Sequence, residues 1–171
     1  MEWMEADPIS FRKAMSVFGT GVAIAVVRHP LAGPIGVTVN SLVSVSLSPL
    51  LALFCLGRDS QAWPYFDQAS MAKSQVSVSI LTDEQKGISS AFTHCLPGTL
   101  EAEHGQDFYL GPDHPPTLKE SAASLLGRFQ TCFSGGDHDI YLWEVQSVTY
   151  HLQKRPLLYH HSQYKAVGTA V

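Results

Sequence analysis

Residues 36–49 read Gly-Val-Thr-Val-Asn-Ser-Leu-Val-Ser-Val-Ser-Leu-Ser-Pro. Val37, Val39, Val43, Val45 and Leu47 set apolar side chains at nearly every second position, and Thr38, Asn40, Ser44, Ser46 and Ser48 take the alternate ones. A period of two is that of a β-strand with one apolar face. The alternation breaks at Asn40, Ser41 and Leu42. The polar face carries no charge, only hydroxyls and one amide. Such groups donate to a phosphate, a polyol or a heteroaromatic ring at small desolvation cost. Taken alone, the same face serves equally well to bond neighbouring strands or water.

The rest of the chain supplies further strands and few helices. Asp7-Pro8 predicts a helix start, with Asp as cap and Pro at the first helical position. Phe11, Met15 and Phe18 then share one face, and Gly19 is a natural stop. Residues 22–27 read as a buried strand, 29–36 as a Pro- and Gly-bearing loop, and 50–56 as another strand. Ser60 is positioned to cap a second helix with Trp63, Phe66 and Ala69 inward and Pro64 in its first turn. Residues 76–80 alternate as a strand. Thr82-Asp83-Glu84-Gln85 is a capping-box pattern opening a short helix with Ile88 and Phe92 on its inner face. Residues 93–116, rich in Gly, Pro and His, show no period and read as a loop or lid. Strands are predicted at 126–132 and 140–148 around a Gly-rich turn, and a last one within 157–164. Many strands without regular strand–helix alternation favour an antiparallel barrel over a doubly wound sheet.

A chain of 171 residues with 45% hydrophobic residues is expected to form one domain, residues 1–171, with a full core. Only 15% of residues are charged, which fits a β-rich fold and hints at surface hidden in an oligomer. The net charge is −4 and Lys and Arg do not cluster along the sequence, so the basic footprint of a nucleic-acid binder is missing. Cys55, Cys95 and Cys132 are an odd number without metal or disulfide spacing. Cys55 falls in an apolar strand, where a thiol is inert. His160-His161 point to opposite faces of a strand, and no metal site is expected. No run is long enough to span a bilayer and the acidic N-terminus lacks a signal peptide's pattern, so a cytoplasmic location is the expectation.

Several motifs gain meaning in combination: Phe11-Arg12-Lys13-Ala14-Met15, Phe18-Gly19-Thr20-Gly21-Val22, the 36–49 stretch, Leu53-Phe54-Cys55-Leu56 with Ser60, Gly136-Asp137-His138, and Pro156-Leu157-Leu158-Tyr159. In this order they resemble the flavin reductase-like family, from about Phe11 to Tyr164. The resemblance implies a mainly β fold, the FMN-binding split barrel: an antiparallel, Greek-key-like β-barrel with a few short flanking helices. It also implies NADH- or NADPH-dependent reduction of FMN or FAD by a homodimer that feeds a separate monooxygenase. The rival readings are a flavoprotein that keeps its flavin as an oxidase or tailoring enzyme, and a non-catalytic flavin-binding subunit.

By the same resemblance, Thr38, Asn40 and Ser41 match the flavin-contacting segment, Ser46 and Leu47 continue it, and Ser60 matches a serine near the flavin phosphate. Phe92, after Ser89-Ser90-Ala91, matches an aromatic residue beside the cofactor. His138, in Gly136-Asp137-His138, matches the histidine on the nicotinamide side and is the predicted catalytic group, with an orienting role. Tyr159 and Tyr164 are placed near the site or in the core. The chain departs from the family pattern in 93–98, in 120–124, at Ser79 where Asn is common, and at Ser162 where Gly is usual.

Overall fold

The computed structural model describes residues 3–94 and 96–168; Cys95 lies outside them. Helix α1 (Pro8–Ser16) begins as the Asp7-Pro8 pair predicts. Asp7 Oδ1 accepts from the amides of Ile9 and Ser10, both at 2.8 Å, and the Ser10 hydroxyl returns to the Asp7 amide at 2.9 Å. The helix is capped at Val17, two residues before the expected glycine stop, so Phe18 lies beyond it. It buries none of its residues, and Phe11 and Met15 stay exposed.

Strands β1 (Thr20–Gly21), β2 (Ala23–His29) and β3 (Gly33–Val39) follow. The loop expected over 29–36 is instead a tight hairpin: His29 pairs with Gly33, and Pro34 and Gly36 lie inside β3. Pro34 is tolerated because β3 is an edge strand. Gly36 is required because a Cβ there would meet the Phe92 ring at 2.7 Å. Strands β4 (Val43–Leu47) and β5 (Leu50–Gly57) form the next hairpin.

Helix α2 (Trp63–Met71) starts later than predicted. Its N-cap is Ala62, which makes no side-chain cap, and Ser60 sits two residues earlier in the turn. Phe66 and Ala69 are buried while Trp63 is half-buried. After β6 (Gln75–Ile80), the Thr82 capping box forms as expected at a 3₁₀ turn and leads into α3 (Lys86–Ala91).

The segment 93–116 is not the unstructured loop predicted. It holds α4 (Thr99–His104) and β7 (Phe108–Tyr109), and β7 pairs with β8 (Thr117–Leu118). Leu100 and Phe108 anchor it, and the Phe92 ring lies 5.5 Å from Phe108 and 5.2 Å from His104. Two anchors eight positions apart leave no period to read. Strands β9 (Ala123–Gly135) and β10 (His138–Tyr150) form the longest hairpin. The predicted last strand is a small hairpin of β11 (Leu158–His160) and β12 (Gln163–Lys165). Its turn residues, His161 and Ser162, have φ of +50° and +57°, in the left-handed region.

The principal sheet is antiparallel with order β3-β2-β6-β9-β10-β5-β4. Strands β3 and β4 stand at its two edges, yet only residues 40–42 join them. Laid flat, seven strands place their outer members about 29 Å apart. The connection from Val39 to Val43 spans about 14 Å at most. The sheet must therefore curl until its edges approach, which makes a barrel with an open seam at Asn40, Ser41 and Leu42. The break in the sequence alternation is that seam.

The barrel interior is filled by Phe54, Phe66, Phe129, Tyr141 and Trp143, each fully buried, with Phe54 stacked on Tyr141 at 5.5 Å. Strand β2 is buried on both faces. Ala23, Ala25 and Val27 face this core, and Val22, Ile24 and Val26 belong to a second one with Phe92, Leu100, Phe108 and Leu157. That accounts for its continuous apolar run.

Candidate functional site

A groove of about 940 Å³ runs along the seam between α1 and the curled sheet. Phe11, Met15 and Phe18 form one wall; Leu42, Val43, Leu53 and Cys55 form the other. Thus the apolar stripe of α1 faces a ligand-sized space instead of a core. Such a volume, mostly apolar with a few polar groups, is that of a small-molecule site. Arg12 is the single charged residue among the described lining residues.

The polar groups at the groove fall into two kinds. Ser41 is already committed: its hydroxyl accepts from the Cys55 amide at 2.8 Å and donates to the Cys55 carbonyl at 3.2 Å. It splices the seam to β5 as a surrogate strand residue. Thr20 and Asn40 are free. The Thr20 hydroxyl is buried without a partner among the described residues, and a buried unpaired hydroxyl is costly unless a ligand satisfies it. Asn40 is exposed on the groove with its amide unpaired among the described residues. Tyr159 and Ser162 close the far lip.

Of the site residues expected from sequence, Asn40 and Ser41 line the groove directly, with Tyr159 at its lip. Thr38 stands behind it. Its hydroxyl donates to the Ser89 carbonyl at 2.7 Å and its amide to the Phe92 carbonyl at 3.0 Å, tying β3 to α3. Phe92 is fully buried in the second core. Ser46 Oγ accepts from the Ser48 amide at 3.1 Å, and Leu47 projects into solvent. Tyr164 bonds the Ser89 hydroxyl at 2.9 Å and packs edge-on against Tyr159. Cys55, expected to be buried, is half-buried on the groove face, because strand alternation sends Ala52, Phe54 and Leu56 inward instead.

His138 and Ser60 belong to an adjoining cluster that the β5–β10 ladder builds. His138 pairs in register with Gly57, and a Cβ added at Gly57 would lie 3.5 Å from His138 Nε2 and 2.7 Å from Asp59 Oδ1. His138 Nδ1 bonds Asp137 Oδ1 at 2.7 Å, leaving Nε2 open on a half-exposed ring. That hydrogen bond and the imidazole's charge hold the Asp137 carboxyl below the usual carboxylate range, with a smaller pull from the Arg12 guanidinium of the groove wall. Leu53 and Cys55 of the groove share a sheet face with Gly57, so the two clusters are continuous.

One ion-pair network fixes this corner. Asp139 is buried, accepts from Arg58 Nε at 3.0 Å through Oδ1, and accepts from Trp63 Nε1 at 2.7 Å through Oδ2. Arg58 Nη2 also donates to Ser134 Oγ at 2.8 Å, and the Arg58 amide donates to the Asp137 carbonyl at 3.0 Å. The 57–60 turn is thereby locked to the β9–β10 hairpin. Arg58 first, and then Trp63, hold the Asp139 carboxyl below its ordinary range. Burial pushes the nearby Cys132 thiol up to about 11, so it stays protonated at neutral pH and is a poor nucleophile. Ser60 Oγ accepts from the Ala62 amide at 3.3 Å at the entry to α2.

Sequence reasoning missed Thr20, Arg58, Trp63 and Asp139 as members of this region. Asp139 was visible only as the neighbour of His138, and Thr20 only as part of a Gly-rich turn. Alternation along 137–140 is the signal that separates an outward His138 from an inward Asp139.

The groove fits a flavin on the evidence of its own atoms: apolar walls spaced by the seam, an orphaned Thr20 hydroxyl, a free Asn40 amide, and a crowded glycine beside an open imidazole nitrogen. The comparisons with known proteins agree. The NADH-dependent FMN reductase AsuE2 of Streptomyces nodosus subsp. asukaensis is 33% identical over 162 residues, covering 94% of this chain and 85% of that protein. The flavin-dependent monooxygenase reductase subunit HsaB of Mycobacterium tuberculosis is 28% identical over 165 residues, 95% of this chain and 84% of its own. The solved structure of the NADH:FAD oxidoreductase SgcE6 of Streptomyces globisporus superposes with a TM-score of 0.83 at 28% identity, covering 99% of this chain and all of that one. The chain spans 42% of the length of a further relative, from Rhizobium meliloti. The family model described as the flavin reductase like domain matches residues 15–168, and the chain belongs to that family, with its split-barrel fold.

Proposed function

We propose that this chain reduces FMN or FAD with NADH or NADPH and supplies the reduced flavin to a separate monooxygenase. The observation that carries this reading is the seam groove, continuous along β5 with the open Nε2 of His138. The flavin supplies the hydride-accepting chemistry when bound. The chain's own residues bind, orient and exclude water. Asn40 and Thr20 offer hydrogen bonds to the ring edge, and α1 covers its face. Ser41 and Thr38 hold the seam open by anchoring it to β5 and α3. Phe92, Ser46 and Leu47 shape the same strands from behind and beyond. Ser60, at the entry to α2, and the Arg58 guanidinium are assigned to the phosphate end of the flavin, where a cation favours an anion.

His138 is the orienting group for the nicotinamide. Asp137 fixes its Nδ1, so Nε2 is the atom presented to the incoming dinucleotide. Its partner proteins follow from the outer surface: Val43, Val45, Leu47 and Leu50 are all exposed beside the groove, an apolar patch suited to a second copy of the chain. A homodimer in the cytoplasm is the assembly proposed; no helix among the described residues is long and apolar enough to cross a membrane.

The test is oxidation of NADH and NADPH by purified protein with and without FMN, FAD or riboflavin. Flavin-dependent turnover is the expected result. Flavin retained through gel filtration with no nicotinamide oxidation would instead mark a flavoprotein acting on another substrate. In His138→Ala, KM for the nicotinamide donor should rise about tenfold, the worth of one hydrogen bond, with kcat changed little. An unchanged KM and kcat would remove His138 from this role.

A further inference from the structure

At the opposite end of the barrel, a second cavity of about 250 Å³ is lined by Arg28, Ser74, Gln75, His114, Pro115 and Arg128, with Pro112 at its edge. Strand β2 runs from the seam groove at Ala23 to this cavity at Arg28, a separation of about 17 Å at strand rise. The two sites are distinct. Arg28 and Arg128 are a hundred positions apart in sequence, and β6, paired with β2 on one side and β9 on the other, brings them together.

The donors here are under-used. Arg28 Nη2 donates to the Gly111 carbonyl at 2.8 Å, while its buried Nε has no partner among the described residues. Arg128 Nη1 donates to the Lys73 carbonyl at 2.9 Å. His114 Nδ1 bonds the Pro115 carbonyl at 2.8 Å, leaving Nε2 open. The Ser74 hydroxyl and Gln75 amide have no hydrogen-bond partner among the described residues, and both are half-buried. No carboxylate lines the cavity, and neither guanidinium forms an ion pair among the described residues. Two acids that adjoin lining residues in the ladder or the chain are otherwise placed. Glu144, across the ladder from Arg128, accepts from Gln130 Nε2 at 2.8 Å, and Asp113 is exposed beside His114.

Two fixed positive charges, an imidazole, a hydroxyl and an amide converge on a polar hollow in a chain of net charge −4. Guanidinium forks match the oxygens of a phosphoryl group in geometry as well as charge. We propose that this cavity binds a phosphoryl oxyanion, which pins residues 111–115 to strands β2, β6 and β9. The hollow is below the volume of a site that encloses a whole cofactor, so the group bound is an inorganic phosphate or the phosphate end of a larger molecule that extends into solvent.

Thermal unfolding with inorganic phosphate, with AMP, and with sodium chloride at matched ionic strength tests this. At about ten times the dissociation constant, phosphate should raise Tm by about 3–5 °C over the chloride control. The same increment should be absent in Arg128→Gln and in Arg28→Gln. His114→Ala, which touches only one backbone carbonyl, should weaken phosphate binding at least threefold by phosphorus NMR titration, and it keeps the test open if an arginine variant fails to fold. A shift with phosphate and AMP alike assigns the site to phosphomonoesters; a shift with phosphate alone assigns it to the free ion. A shift that survives both Arg128→Gln and His114→Ala, or no shift beyond chloride, overturns the proposal.

Discussion

Strands β5 and β10 present two faces to two very different surroundings. On the inner face Ala52, Phe54, Leu56, Tyr141 and Trp143 are all buried, and their rings interlock. On the outer face Leu53 and Cys55 meet a groove, and neighbouring β4 shows Val43, Val45 and Leu47 to solvent. One alternation serves both. The inner face secures the fold by burying area, at about 25 cal/mol per Å². The outer face is left open, as the proposed ligand site and proposed subunit contact require.

This contrast can be broken most forcefully from the inside. Phe54 contacts Phe66, Phe129 and Tyr141 with ring centroids 5.9, 6.3 and 5.5 Å away. Phe54→Ala should cost about 3–5 kcal/mol and lower Tm by on the order of 10 °C, measured by circular dichroism. A loss under 1 kcal/mol would mean that the inner face does not carry the stability.

Next in size is the corner where the faces meet. Asp139 is held below its ordinary carboxyl range by Arg58 and Trp63. Its contribution is therefore present above the unfolded-state pKa near 3.9 and is lost as pH falls through the lower folded value. Asp139→Asn should cost about 2 kcal/mol at pH 7 and flatten the decline of stability below pH 4. Denaturant titrations from pH 7 to pH 3 would show this; parallel curves for both proteins would exclude the assignment.

The smallest effect on stability belongs to the outer face. Leu47 is 85% exposed, so Leu47→Asp should change monomer stability by less than about 0.5 kcal/mol. It should nonetheless shift the sedimenting species from dimer to monomer. An unaltered assembly would show that the patch is not the subunit contact.

What was legible in the sequence follows the same division. Local devices read correctly: the Asp7 cap, the Thr82 capping box and the 36–49 alternation each depend on neighbours within a turn or a strand. Even the seam was visible as a fault at residues 40–42. Its meaning was not, because closure depends on strand order, and pairs such as Gly57 with His138 join residues far apart in sequence. The α1 stripe was readable as apolar, but its facing a groove instead of a core was not. The same limit hid the arginine cavity: evenly scattered cations became a cluster only when β6 brought β2 and β9 together. Residues 93–116 failed for another reason, since isolated anchors such as Leu100 and Phe108 hold a segment without giving it a period.

The turn between β11 and β12 bears on how such a protein tolerates heat. His161 and Ser162 both sit in a backbone region that glycine occupies freely and other residues occupy at about 1–2 kcal/mol each. Ser162 also forms part of the groove's lip. Backbone strain and the shape of the groove's mouth therefore meet at one side chain. Glycine would relax the hairpin and widen the mouth; serine keeps a hydroxyl at the entrance and a tighter passage beside Tyr159.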